Sequence, residues 1–172
     1  MVNREETFTK AVRENERRIY GICCHYFGPG DDARDACQEI LLKIWLNISG
    51  FRGESKISTW ISRIAVNVCL THIESNKRNS SIITRAAELP DCGNLYEHDS
   101  NDAEEEEKLA FFRDFTGRLN PVDRSLVSLY LEDIDYREIA QITGLSEVNA
   151  RTRIHRIKMQ IKKEWEEKNG TR

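Results

Sequence analysis

No run of apolar residues approaches the length needed to cross a bilayer, and the opening Met1-Val-Asn-Arg-Glu-Glu-Thr7 lacks the basic start and apolar stretch of a secretory leader. A soluble, cytoplasmic protein without direct membrane insertion is expected. The five cysteines, Cys23, Cys24, Cys37, Cys69 and Cys92, are odd in number and lack the spacing of a disulfide framework, so reduced thiols are the default. Cys69 and His72 stand three apart and Cys23-Cys24-His25 adds further ligand types, yet no paired Cys-x-x-Cys or His-x-x-x-His spacing supports zinc. Alternating strand patterns, internal repeats and any paired acid, base or nucleophile are also missing, which gives no reason to expect an enzyme, a metal or a cofactor. What is present is a chain of 172 residues, 39% hydrophobic and 32% charged, with apolar residues enough for helical cores. That length suits one ordinary domain or two small ones, and two fit the pattern better.

The front half reads as helices. Glu6 to Phe27 carries Phe8, Ala11, Val12, Ile19, Ile22, Cys23 and Tyr26 at helical spacing, and Gly28-Pro29-Gly30 stops it. A second helix opens at Asp31 or Asp32, either of which can cap it, and runs to about Ile48. After a polar loop, Ser58 or Thr59 caps a third helix from Trp60 to roughly Ser75, with Ile61, Ile64, Ala65, Val68 and Ile73 inward. From residue 76 to 101 the periodicity fades into Asn, Ser, Asp and Gly with Pro90 and Gly93 as breakers, the composition of a flexible linker. This divides the chain into domains 1–75 and 102–172. Asp102 can cap a helix opening on Glu104 to Glu107, where the positive helix end favours acids, with Leu109, Phe112, Phe115 and Leu119 as its buried side. Asn120-Pro121 then starts another helix to about Leu131. The expected fold is all-α: two small helical domains joined by the linker.

The end of the chain holds a helix-turn-helix pattern. Tyr136 to Ile142 is followed by Thr143-Gly144-Leu145-Ser146 and a basic helix from Glu147 to about Trp165. Gly144 suits the tight turn, Leu145 can anchor it in the core, and Ser146 can cap the next helix. On that helix Ala150, Ile154, Ile157 and Ile161 fall in one stripe, with Asn149, Thr152, Arg156 and Lys163 opposite, flanked by Arg151, Arg153, His155 and Lys162. Ser146 to Lys163 holds six Lys and Arg against one Glu, a local charge of +5 in a chain whose total is -3. A basic face alone is usually just a solvated face; behind a capped, glycine-centred turn it points to the DNA major groove.

The second helix has more apolar surface than one core contact needs. Cys37, Ile40, Leu41, Ile44 and Ile48 make the core stripe, while Leu42 and Trp45 project away beside Gln38. Trp45 either packs under the third helix or belongs to a partner face edged by Asp35, Gln38 and Glu39. The next stretch, Phe51 to Trp60, mixes aromatic rings, a glycine, small hydroxyls and two bases, groups that can receive an unstacked nucleotide or simply be core.

In this order the motifs resemble the extracytoplasmic-function sigma factors of bacterial RNA polymerase. Ala33-Arg-Asp-Ala-Cys-Gln-Glu-Ile-Leu-Leu-Lys-Ile-Trp45, Phe51-Arg-Gly-Glu-Ser-Lys56 and Ser58-Thr-Trp-Ile-Ser-Arg-Ile-Ala-Val-Asn67 are similar to region 2 of that family. Leu119-Asn-Pro121, Tyr136-Arg-Glu-Ile-Ala140, Leu145-Ser-Glu147 and Arg151-Thr-Arg-Ile-His-Arg156 are similar to its region 4. The resemblance covers nearly the whole chain apart from the linker. It implies core RNA polymerase and promoter DNA as partners, and an anti-sigma factor as regulator. Polymerase contacts would fall on Asp35, Gln38, Glu39, Leu42 and Trp45. Contacts to a melted minus 10 element would fall on Phe51, Arg52, Gly53, Ser55, Lys56, Arg63 and Asn67. Contacts to duplex minus 35 DNA would fall on Asn149, Arg151, Thr152, Arg153, His155 and Arg156. Asn149 and Ala150 stand where many members carry Thr and Val, a departure that bears on the preferred upstream sequence. The rival reading is a stand-alone helix-turn-helix regulator binding a palindrome as a dimer, which leaves the front-half motifs without a purpose.

Overall fold

The computed structural model describes residues 4–80 and 103–170, and among them it contains α-helices and no strand. In chain order these are α1 (Arg4–Phe27), α2 (Asp31–Asn47), α3 (Ile57–Ser80), α4 (Ala103–Gly117), α5 (Pro121–Leu131), α6 (Tyr136–Thr143) and α7 (Glu147–Asn169), with a short 3-10 turn, Ile48–Gly50, after α2. The all-α expectation holds. The helices fall into two compact units, α1 to α3 and α4 to α7.

In the first unit each of the three helices packs on the other two. α1 contributes Ala11, Ile19, Ile22, Cys23 and Tyr26, and α3 contributes Ile61, Ala65, Val66, Val68 and Cys69. The buried stripe of α2 runs Ala33, Ala36, Ile40, Ile44 and on to Ile48, whereas Cys37 and Leu41 are only half-buried. Two alanines open it, and alanine ranks too low in hydrophobicity to draw a stripe toward itself. Helix starts differ too. Gly30 occupies the α2 cap position without a side-chain bond, and Asp31 and Asp32 sit in the first turn, where the helix dipole favours their charge. α3 opens at Ile57 with the Trp60 N–H donating to the Lys56 carbonyl at 3.2 Å, so Ser58 and Thr59 lie inside its first turn instead of capping it. It continues to Ser80, past the expected end at Ser75. The remainder of the stretch read as a linker, with Pro90, Cys92, Gly93 and the Asp102 cap, is outside the described residues.

The second unit packs four helices, three of them with side-chain caps, around Phe115, Leu126, Leu129, Ile134, Ile139, Ile142, Ala150, Ile154 and Ile157. Asn120 caps α5 by accepting from the Asp123 N–H, Asp135 caps α6 by accepting from Glu138, and Ser146 caps α7 by accepting from Asn149. Gly144 ends α6 at φ 76, a left-handed conformation, and its N–H returns to the Ala140 carbonyl. Leu109, expected in the core, is 53% exposed. Phe112, Leu119, Leu145 and Ile161 are half-buried. The buried side of α4 is centred on Phe115, toward the end where α5 meets it.

Candidate functional site

α7 is held by its apolar stripe and presents the opposite side to solvent. Asn149, Arg151, Thr152, His155 and Arg156 are all exposed there, as the spacing predicts. Thr152 is exposed and donates its hydroxyl back to the Val148 carbonyl at 2.8 Å, so that proton is committed to its own helix. Arg151 is ordered on two sides: Nη2 donates to Glu147 Oε1 at 2.9 Å, and the guanidinium carbon lies 4.5 Å from the centre of the Tyr136 ring.

Arg153 is set apart from these residues. Its Nε donates to Asp123 Oδ1 at 2.8 Å, and that carboxylate side chain is only 8% exposed. The other Asp123 oxygen accepts from Asn120 Nδ2 at 2.7 Å, while the Asp123 N–H donates to Asn120 Oδ1 at 3.0 Å. Arg153 thus ties α7 to the capped start of α5, a tertiary pairing that a helical wheel cannot register. The spacing singles out neither Val148, 76% exposed at the head of α7, nor the ring of Tyr136 at the start of α6, which stacks beside Tyr130 with centres 6.0 Å apart.

In the first unit, Asp35, Gln38 and Leu42 are exposed along α2, and Leu46, not singled out from the sequence, joins them at 61% exposure. Glu39 is half-buried between Lys43 Nζ at 2.8 Å and His72 Nε2 at 2.5 Å. Lys43 first, then His72, holds the Glu39 carboxyl below its ordinary range. Trp45 is half-buried and meets α1. Phe8 of α1 meets it edge-on at 5.2 Å, and Arg4 covers it at 4.4 Å while donating to its carbonyl. The resulting face combines two exposed leucines with carboxylate and amide groups.

Phe51 and Trp60 are half-buried against each other, with ring centres 5.4 Å apart, so they anchor the intervening loop. Arg52, Gly53, Ser55 and Lys56 are exposed between them, and Gly53 turns the chain at φ 72. Arg63 and Asn67 are exposed one turn apart on α3. Thr59 Oγ1 and Ser62 Oγ, on the same helix, are buried without a hydrogen-bond partner. Nothing in the local sequence distinguishes them from hydroxyls bonded back to their own helix.

The thiols do not gather into a metal centre: among the described residues no three His, Cys, Asp or Glu side chains are grouped to hold an ion. Cys23 and Cys37 lie 3.4 Å apart, Sγ to Sγ. The hydrogen bond to Cys23, followed by burial, pushes the Cys37 thiol up, which opposes thiolate chemistry. Among the described residues no helix is long and apolar enough to cross a membrane.

Comparison with known proteins matches residues 11–79 to sigma-70 region 2 and residues 112–161 to sigma-70 region 4. The ECF RNA polymerase sigma-E factor of Haemophilus influenzae is 30% identical over 166 residues, covering 91% of this chain and 86% of that protein. SigG of Mycobacterium tuberculosis, also an ECF RNA polymerase sigma factor, is 37% identical over 75 residues, 44% of this chain. That match spans only 20% of SigG, a much longer protein. The fold is that of the sigma factor RpoE of Bartonella quintana, solved with the anti-sigma factor NepR, at TM-score 0.75 and 16% identity over 92% of this chain and 96% of that one.

Proposed function

The chain belongs to the extracytoplasmic-function (ECF) sigma factors of bacterial RNA polymerase, and from that premise we propose how its residues bind core polymerase and direct promoter-specific initiation. The observation that carries this reading is a second unit whose helix-turn-helix exposes Asn149, Arg151, Thr152, His155 and Arg156, beside a first unit with a separate leucine and acid face. The α2 residues Asp35, Gln38, Glu39, Leu42 and Leu46 form the polymerase face, with Trp45 at its edge buttressed by α1. Arg153 supports the reading helix from Asp123 and is not itself a base contact.

α7 enters the major groove of the minus 35 element, where guanidinium groups donate bidentately to guanine and the Thr152 methyl can meet a thymine methyl. The minus 10 element is received as single strand by Arg52, Gly53, Ser55 and Lys56 between the Phe51 and Trp60 anchors, with Arg63 and Asn67 alongside. Extruding a base costs a few kcal/mol, and stacking and hydrogen bonding in such a loop offset it, so melting needs no ATP. The likeness to RpoE, solved with NepR, supports an anti-sigma factor as regulator of this chain. The polar surface and the absence of a membrane-crossing helix among the described residues agree with a cytoplasmic site of action.

The test is transcription reconstituted from core polymerase, the full chain and DNA taken from upstream of its own gene. A run-off transcript that requires the chain is expected. Equal binding to that DNA without core, and no transcript, would instead identify a stand-alone helix-turn-helix regulator.

A further inference from the structure

Arg151 is not a free side chain at the end of a flexible stem. Its guanidinium lies 4.5 Å from the Tyr136 ring centre, at the first position of α6, and Tyr136 in turn stacks beside Tyr130 of α5. Lys158, two turns along α7 from Arg151, closes the row by donating to the Tyr130 hydroxyl at 3.2 Å, with its ammonium 5.2 Å from that ring. Three helices are therefore joined by two stacked rings with a cation at each end of the stack. The two restraints on Arg151 are chemically different. Glu147 occupies an in-plane N–H donor, and DNA must compete with it. The contact with Tyr136 is a cation–π attraction that needs no particular N–H, so it does not compete with a base edge for the donors of the fork.

We infer that Tyr136, on the first helix of the motif, is a positioning residue that makes Arg151 specificity-determining for the upstream promoter element. The ring fixes the plane of the guanidinium before DNA arrives. Ordering entropy that would otherwise be lost on binding, and lost equally on right and wrong sequences, is already spent, and the bidentate geometry that separates guanine from other bases is selected in advance. The inference rests on the reading of α7 as the minus 35 recognition helix.

The experiment uses holoenzyme reconstituted with the full chain and a pool of duplexes carrying a randomised upstream segment, sequenced before and after binding. Wild type, Tyr136→Phe, Tyr136→Leu, Arg151→Ala and the Tyr136→Leu/Arg151→Ala double variant are compared. Tyr136→Leu is expected to flatten base preference by about two- to fivefold at the same position that Arg151→Ala flattens, as loss of a partly exposed cation–π contact implies. Tyr136→Phe keeps the ring and should keep the preference. In the Arg151→Ala background, Tyr136→Leu should flatten nothing further. A uniform loss on all sequences, or a Tyr136→Leu effect that persists without Arg151, means that Tyr136 only supports the fold and overturns the inference. If Arg151→Ala itself leaves every preference intact, the reading of Arg151 fails, and the inference falls with it for a separate and visible reason.

Discussion

Arg156 stands on the exposed side of α7, and its replacement by Ala removes a donor fork without opening the core. The expected cost is about 1–3 kcal/mol at particular base pairs of the upstream element, measured by competition among promoter variants. An equal loss on every sequence would assign Arg156 to phosphates alone. Ser55 and Asn67 test the other half of initiation. The Ser55→Ala/Asn67→Ala variant should bind promoter duplex nearly normally but open it poorly, and a pre-melted bubble should restore part of the activity; permanganate reactivity of unpaired thymines reads the difference. Glu39 gives a pH signature. Its folded-state pKa lies below the unfolded value, so its stabilisation is whole above the ordinary glutamate value, about 4.3, and is lost as pH falls through the lowered one. Glu39→Gln should therefore melt below wild type at neutral pH, with the gap closing as the pH falls below the ordinary glutamate value and through the lowered one. A gap that stays constant with pH would mean that the carboxylate charge contributes nothing.

At the scale of the element, the turn between α6 and α7 makes a sharp demand on the backbone. A Cβ on Gly144 would meet no atom within 4 Å, so crowding is not the obstacle; the left-handed φ of 76 is. Gly144→Ala should cost about 1–2 kcal/mol in urea unfolding, from that conformation alone. This motif was legible in the sequence because its signals are local: the Ser146 cap, the glycine and the apolar spacing all lie within a few residues of what they control. The same holds for the Asn120 cap of α5 and for the exposure of Asn149, Thr152 and Arg156. What depended on other elements was not legible. Arg153 has the same spacing credentials as Arg151 and differs only because Asp123 lies opposite it. Trp45 is claimed by Phe8 and Arg4, remote in sequence, and Leu109 is left outside by the packing of α4. Ala33 and Ala36 define a core stripe that a hydrophobicity pattern assigns to their larger neighbours.

At the scale of the whole molecule, each unit has an apolar core drawn from its own helices. Leu129, fully buried in the second, should cost about 2–5 kcal/mol when replaced by Ala. Loss of upstream duplex binding with retained capture of core polymerase is expected, checked by urea melting and by co-purification with core. Simultaneous loss of both would mean that the units stand or fall together. The division of labour within α7 has a further consequence. Ala150, Ile154, Ile157 and the Arg153–Asp123 bridge hold the helix, while the residues assigned to reading are all on the surface. Changing the reading surface therefore asks for no compensating change inside. Duplicate copies of such a gene can diverge in the promoters they serve through a handful of tolerated substitutions, each intermediate still folding. An engineer can follow the same route, exchanging surface residues of α7 to obtain holoenzymes that ignore one another's genes.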